Sequence, residues 1–423
     1  MNKTGKSLRP DLSVIITGRN DNHNGDFNIR AEYALRHNAA LLAGAGVSCE
    51  FIWVEWNPLT ERSLFASSVG SWVGKCVSFI VPNAVHNHFC DNPAIGVLQF
   101  MAKNVGMRRA AAEWVLSTNA DTYLTADVVE RIAGGNLDPG IMYLAERVDF
   151  HSRHLAEAPE SYPIAGLEDR EIARVSQVRL PTGFGSAGDF TLMHRDAVFE
   201  ASGHFEGIRF SNSHLDTLFC LQHAARGGRF NVIGRVFHAD HADSWNNFKT
   251  GSGKGHHHGF NYNPRRIRIP YANPGCWGLA DFPVRTDDKG YGVLTPPPGL
   301  EIRSVAPAEA IIPPELDLRP AADLFAAALR TAEQNRLKVV VAGPGDQTRE
   351  QIAASARRGM RLVGYIDEGR AHSELNCPAI GWSELAKTDF DVVLIGSLFW
   401  KEELYDKALH NVPPARILPA VKT

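Results

Sequence analysis

The chain has 423 residues, 44% hydrophobic and 22% charged, an ordinary globular composition that excludes wholesale disorder and a collagen-like fibre. Forty-four basic residues against 47 acidic ones give a net charge of −3, so nothing in the overall balance favours binding to a nucleic acid polymer.

The first strong element is a strand over 13–17, Ser13-Val-Ile-Ile-Thr17, a continuous apolar run of the kind buried in a parallel sheet. The polar loop Gly18-Arg-Asn-Asp-Asn-His-Asn-Gly25 follows, then a helix from Asp26 to Ala43 with Gly44 as its stop. Phe51-Ile-Trp-Val-Glu55 and Val77–Val81 read as two more buried strands, ended by Asn57-Pro58 and Pro82. Strand, helix, strand with short connections predicts an α/β fold whose parallel sheet is flanked by helices. An alanine- and methionine-rich helix is expected around 95–112, then a strand at Trp114–Ser117 running into Thr118-Asn119-Ala120-Asp121. Residues 150–180 are polar and carry no clear period. Phe190–Met193 and Val232–His238 read as strands and Ser213–Ala225 as a helix, before a loop-rich stretch over 240–300. An alanine-rich helix over 320–333 precedes a second, smaller set: strand Lys338–Ala342, helix 347–358, strands Arg361–Ile366 and Asp391–Ile395. The expected domains are therefore 1–300, a linker with a helix at 301–334, and a small Rossmann-like domain at 335–423.

The six cysteines, Cys49, Cys76, Cys90, Cys220, Cys276 and Cys377, show no C-x-x-C spacing, which argues against a zinc ribbon or a disulfide scaffold. No apolar run approaches the ~20 residues of a membrane span, and the opening residues lack a secretory pattern. The expectation is a soluble, cytoplasmic protein with no transmembrane segment.

Polar residues just beyond the carboxyl ends of parallel strands sit where open α/β sheets bind ligands. Thr17, Gly18, Arg19, Asn20 and Asp21 close the first strand, Glu55 ends the second, and Asn119 and Asp121 end a later one. Such a margin offers an acid or amide for a base or ribose, a cation for phosphates and a carboxylate for a metal. Magnesium and manganese take one or two carboxylates plus substrate phosphate oxygens, so Asp121 is the candidate ligand. Val236-Phe-His238-Ala-Asp240-His241 adds histidines just after a strand, with His238 nearer the strand end.

SVIITGRND, FIWVEWNP and KNVGMRRAAAEWVLSTNADTYL together resemble the GT-A nucleotide-sugar glycosyltransferases, in particular the glycosyltransferase family 2-like group. The resemblance runs over about 11–245 and continues through GSAGDFTLMHRDAVFEASGHFEG and SNSHLDTLFCLQHAARGG. It implies a GT-A-like domain and transfer of a sugar from a nucleotide diphosphate sugar to a hydroxyl acceptor such as a surface or cell-wall glycan, with inversion. It implies a divalent metal, Mn²⁺ or Mg²⁺, on Asp121 and His238, and a catalytic base at Asp216. The helix motif falls on Asn104, Gly106 and Ala110. The metal motif departs from its pattern in having Asn119 where an aspartate is usual.

Simpler roles stand beside these. Asp216 can be the acid of a capping box opened by Ser213, and Asp189 and Glu206 compete with it as base. Arg108 and Arg109 fit a solvated helix face as well as a diphosphate. Trp53 and Trp56 fit core packing, which leaves Trp245, in a polar loop, as the aromatic that could stack on an acceptor sugar. His256-His-His258 lies in a glycine-rich stretch. Gly343-Pro-Gly345 opens a helix but has Thr348 where the third glycine of a dinucleotide fingerprint belongs, with Asp367 after the next strand. Two other functions fit these features: a nucleotide-sugar binding module without turnover, and a dinucleotide-dependent oxidoreductase using the C-terminal domain.

Overall fold

The structure, a computed structural model, describes residues 10–151, 172–178, 187–240, 267, 273–314, 316–317, 319–345, 348–367, 371–398 and 401–418. The chain divides into two compact units: 1–244 with 254–259 and 268–312, and 245–253 with 260–267 and 313–423.

Among the described residues, the first unit is built on a sheet of eleven strands. β1 (Leu12–Gly18) is buried at every position, as its unbroken apolar run requires. It is followed by α1 (Phe27–Gly44), β2 (Cys49–Trp56), α2 (Ala66–Val73), β3 (Cys76–Val81) and α3 (Asn83–Phe89). Next come α4 (Gln99–Arg108), β4 (Trp114–Thr118), β5 (Thr122–Leu124), α5 (Ala126–Ala133), β6 (Ile141–His151) and β7 (Ile172–Ser176). β8 (Phe190–His194), α6 (Arg195–Ala201), α7 (Leu215–Ala225), β9 (Arg229–Asp240), β10 (Val284–Thr286) and β11 (Gly292–Leu294) complete the unit. The strand order is β10-β11-β3-β2-β1-β4-β8-β6-β9-β5, with β7 paired to β6. The central run β11-β3-β2-β1-β4 is parallel throughout, β6 and β9 are parallel, and antiparallel pairs join β8 to β4 and β6.

Alternation along β1 serves two cores. Val14 and Ile16 pack with Leu35, Leu42 and Trp53 on one face, and Ile15 packs with Met101 and Val105 on the other. The close seating of α4 depends on Gly106, where a Cβ would lie 2.5 Å from Ile15 Cγ2.

The second unit carries α8 (Arg319–Gln334), β12 (Lys338–Ala342), α9 (Arg349–Arg358), β13 (Arg361–Ile366), β14 (Val392–Ile395), α10 (Lys401–Leu409) and β15 (Ile417–Leu418). Its four strands form a parallel sheet, β13-β12-β14-β15. The chain is thus of the α/β class, a mostly parallel sheet flanked by helices together with a second, small parallel sheet. The six cysteines are free. Among the described residues no helix is long and apolar enough to cross a membrane.

Several expected boundaries move. The helix expected at 95–112 is confined to 99–108. The helix expected from Ser213 starts at Leu215, with His214 at φ 62° as its cap residue.

Candidate active site

β2, β1 and β4 end side by side, with Gly18 level with Glu55 and Thr118 closing β4. At this margin the chain collects buried charge. Asp121, three residues beyond β4, has a side chain 8% exposed. Arg30 of α1, fully buried, places a guanidinium nitrogen on Asp121 Oδ2. Its Nε donates to Asp26 Oδ1 at 3.0 Å and its Nη2 to the His23 carbonyl at 3.4 Å. The same helix holds the next residues: Asn38 donates to the Thr122 carbonyl and accepts from the Leu124 N–H, both at 2.8 Å.

Strand register brings in the other members. Thr122 stands opposite His238, and His238 opposite Asp149. His238 Nε2 is 3.4 Å from Asp121 Oδ2, and its Nδ1 is 2.9 Å from Asp149 Oδ1. Arg147, two residues before Asp149 on β6, donates from Nε to Asp149 Oδ1 at 2.7 Å and from Nη1 to Asp189 Oδ2 at 3.0 Å. Asp189 also accepts from Asn119 Nδ2 at 2.7 Å. Asn119 Oδ1 in turn accepts from Gln99 and from Lys103 Nζ, each at 2.8 Å, and Lys103 donates to the Gly188 carbonyl at 2.5 Å. Asp121, His238, Asn119 and Asp189 therefore meet in one network, joined by Arg30, Lys103, Arg147 and Asp149.

Burial and partner charges set the protonation of this network. Burial pulls the fully enclosed Lys103 amine down to about 8, although Asp189, Asp216 and Asp121 all favour its charged form. Burial pushes Asp149 up, but the His238 bond and the Arg147 charge outweigh it and hold the carboxyl at about 2. For His238, burial and Arg147 act downward, and the carboxylates Asp121 and Asp149 overcome both, leaving the ring above its ordinary value. Each ring nitrogen thus faces a carboxylate oxygen, Nε2 that of Asp121 and Nδ1 that of Asp149. Stability gives little reason for such a cluster, since apolar residues of similar volume commonly do as well or better than buried ion pairs. Groups with perturbed protonation cluster at functional sites.

The remaining residues of the predicted margin are occupied by backbone. Glu55 accepts from the Phe65 and Ala66 N–H groups at 2.8 Å, anchoring the start of α2, and burial pushes its carboxyl up despite those bonds. Asn20 accepts from the Leu59 N–H at 2.6 Å and donates to the Leu59, Arg62 and Ser63 carbonyls, which shapes the 57–63 loop. Arg19 donates to the Asn57 carbonyl at 2.7 Å and pairs with Asp21 at 3.4 Å. Thr17 is buried in β1, and Gly18 lies against the Trp53 and Phe27 rings. Asn104 ties α4 to the 203–206 segment through both backbone groups of His204 and through Glu206 Oε1, and Glu206 also accepts from the Gly278 N–H.

Asp216, half-buried at the start of α7, accepts from the Gly188 N–H at 3.0 Å and the Thr217 N–H at 2.8 Å. It thus sits one residue from Asp189 across the 187–189 turn. Trp245, His241 and His256–His258 lie outside the described residues.

A divalent cation is expected on Asp121 and His238, and the side chains here do not fit one. The Asp121 oxygen that faces His238 already carries the Arg30 guanidinium. Asn119, in the position of a second ligand, has its oxygen taken by Lys103 and Gln99. Among the described residues no group of three His, Cys, Asp or Glu side chains gathers as metal ligands do.

No family model matches the chain, and no curated protein matches it. Solved structures give faint similarities. One is to a protein described as a glucose-1-phosphate thymidylyltransferase from Bacillus anthracis in complex with sucrose, at 11% identity and TM-score 0.27 over 52% of this chain and 86% of that one. Another is to core-mannan synthase A from Aspergillus fumigatus in its Mn/GDP form, at 11% and 0.26 over 52% and 66%. A third is to the galactosyltransferase LgtC with donor and acceptor sugar analogues, at 12% and 0.26 over 57% and 79%. Similarity this slight establishes neither a shared activity nor a shared site.

Proposed function

We propose that the first unit transfers a sugar from a nucleoside diphosphate sugar to a hydroxyl acceptor. The observation that carries this reading is the buried network of Arg30, Lys103, Arg147 and their carboxylates at the carboxyl margin of β1 and β4, where a charged ligand of an open α/β sheet binds. A cluster of this kind suits a ligand whose leaving group carries two phosphates, because preorganised cations stabilise the charge that grows as the sugar departs.

In the reaction, the acceptor oxygen forms a bond to the anomeric carbon while the bond from that carbon to the diphosphate oxygen breaks. The electron pair leaves with the diphosphate, and the hydroxyl proton passes to a carboxylate. A single displacement of this kind inverts the anomeric centre. Asp216 is the base we favour. Asp189 is held by two bonds from Arg147 and one from Asn119, and Glu206 is locked between Asn104 and Gly278. Asp216 accepts from the Gly188 and Thr217 backbone N–H groups rather than from a guanidinium.

The test is a panel of nucleoside diphosphate sugars with the purified chain, read by release of free nucleoside diphosphate. One donor is expected to be turned over. Asp216→Asn is expected to lower its turnover by roughly 10²–10⁴-fold, the usual contribution of a positioned general base. Donor affinity should move less than about threefold. Undiminished turnover in that variant removes Asp216 from the base role, and no release from any donor counts against glycosyl transfer.

A further inference from the structure

Outside the buried network the first unit carries a groove between α1 and the start of α2. Its volume is about 340 Å³, within the range of small-molecule sites, and Ile29, Glu32, Leu64, Phe65, Ser68 and Trp72 are among its lining residues. One wall is aromatic and braced by the core. Phe65 meets Trp72 edge to face with ring centroids 5.2 Å apart, and on its other side meets the fully buried Trp53 at 5.1 Å. Ile29, 51% exposed, continues the apolar surface onto α1. Among the described residues the Trp72 indole N–H has no hydrogen-bond acceptor. The other wall is polar and carries one charge, Glu32, whose Oε1 takes the Arg36 guanidinium at 2.8 Å. No lysine, arginine or histidine is among the described lining residues. A diphosphate therefore meets no cation in this groove, and a lipid chain would desolvate the carboxylate and the serine hydroxyls without replacing their hydrogen bonds. A neutral pyranose satisfies both walls, because it presents C–H groups on a ring face and hydroxyls around its rim. We propose that the groove is a carbohydrate site, taking a neutral pyranose of an oligosaccharide with its C–H face on Trp72 and its hydroxyls toward Glu32 and Ser68. The helical turn that lines it also carries Arg30 into the buried network, so a glycan seated there lies beside the carboxyl margin of the sheet. Its service as a hold on the acceptor rests on the transfer reading above; its affinity for sugar does not.

The experiment is saturation-transfer NMR of the full chain with cellobiose, maltose, lactose, mannobiose and N,N′-diacetylchitobiose, followed by titration of those that bind. At least one is expected to bind, with saturation strongest on its ring C–H protons. Trp72→Ala and Ile29→Arg are each expected to weaken it by roughly fivefold or more, the size of an aromatic stacking contribution. Val305→Arg, at a 71% exposed position outside the groove, should bind as wild type does. Binding of none of the five overturns the proposal, and so does wild-type affinity in both groove variants. Sedimentation velocity adds a third decision: a wild-type dimer that Ile29→Arg converts to monomer makes a second copy of the chain the occupant, and overturns it too. Should Trp72→Ala fail to fold, Ile29→Arg still decides, because its side chain is largely in solvent. The donor panel reads transfer separately. Nucleoside diphosphate release without disaccharide binding strikes this proposal alone, and disaccharide binding without release from any donor strikes the transfer reading alone.

Discussion

His86, 4% exposed on α3, accepts the Trp56 indole N–H on its Nδ1 at 2.8 Å. Burial, helped by the Arg19 charge, pushes its ring down to about 4. Between pH 6.5 and 4 the unfolded chain binds a proton there that the folded chain refuses. The stability due to the neutral ring is therefore complete above pH 6.5 and falls as the pH drops, by on the order of 3 kcal/mol near pH 4. In urea titrations at pH 7.5 and 4.5, His86→Asn, which keeps an acceptor near the Nδ1 position, should lose less stability on acidification than wild type. Equal losses would mean that His86 is charged in the folded protein. At this scale the sequence revealed the acids and amides better than the cations. Asn119 and Asp121 follow a strand, Asp189 immediately precedes one and His238 lies near the end of another, and those positions mark them. Arg30 and Lys103 lie inside helices and Arg147 inside a strand, where a cation ordinarily reads as a solvated surface. The arginines singled out instead have structural duties: Arg108 stacks on Trp277 at 4.9 Å, and Arg109 donates to the Gly278 and Leu279 carbonyls. The one available signal for Arg30 was its spacing. Arg30, Ala34 and Asn38 lie four residues apart along one face of α1, and that face is buried.

That face makes α1 a clamp on the segment after β4. Asn38 meets the backbone of Thr122 and Leu124 with both ends of its amide, and His37 Nε2 reaches the Leu124 carbonyl at 2.9 Å. Asn38→Ala leaves a buried N–H and a buried carbonyl unpaired and should cost roughly 2–4 kcal/mol. It should also accelerate hydrogen exchange at the Leu124 amide at least tenfold while the amides of β2 stay protected. Unchanged exchange at Leu124 would show that β9 alone holds the segment. Among the strands legible in the sequence, those with uninterrupted apolar runs, β1, β2, β3, β12 and β14, have limits that shift by one or two residues at most. The longest omission is β6, eleven residues ending in Ala145-Glu-Arg-Val-Asp-Phe-His151. Its Arg147 and Asp149 break the apolar pattern, and those two residues belong to the buried network. The side chains that make this strand functional are the same ones that hide it from a search for hydrophobic periodicity.

At the scale of the whole molecule, the α/β class follows from those apolar runs, because a strand buried on both faces has to be covered by helices on both. The mixed flank of the sheet follows from none of them: β8 joins β6 antiparallel and β6 joins β9 parallel through a register that one chain's hydrophobic pattern does not encode. Each unit has apolar clusters of its own. Ile15, Ile52 and Val54 belong to one in the first unit, and Val340, Val393 and Ile395 to one in the second. Separate cores predict separate cooperative transitions. Scanning calorimetry of the full chain should resolve two, and substitutions should assign them. Val393, fully buried on β14 between Val340 of β12 and Ile417 of β15, loses two methyl groups in Val393→Ala. The cavity should cost about 2 kcal/mol and lower one transition by several degrees. Val54→Ala, equally buried on β2, should lower the other and leave the first in place. If either substitution moves both transitions together, the two cores unfold as one, and ligand-induced stabilisation read from the first unit would then have to appear in the second as well.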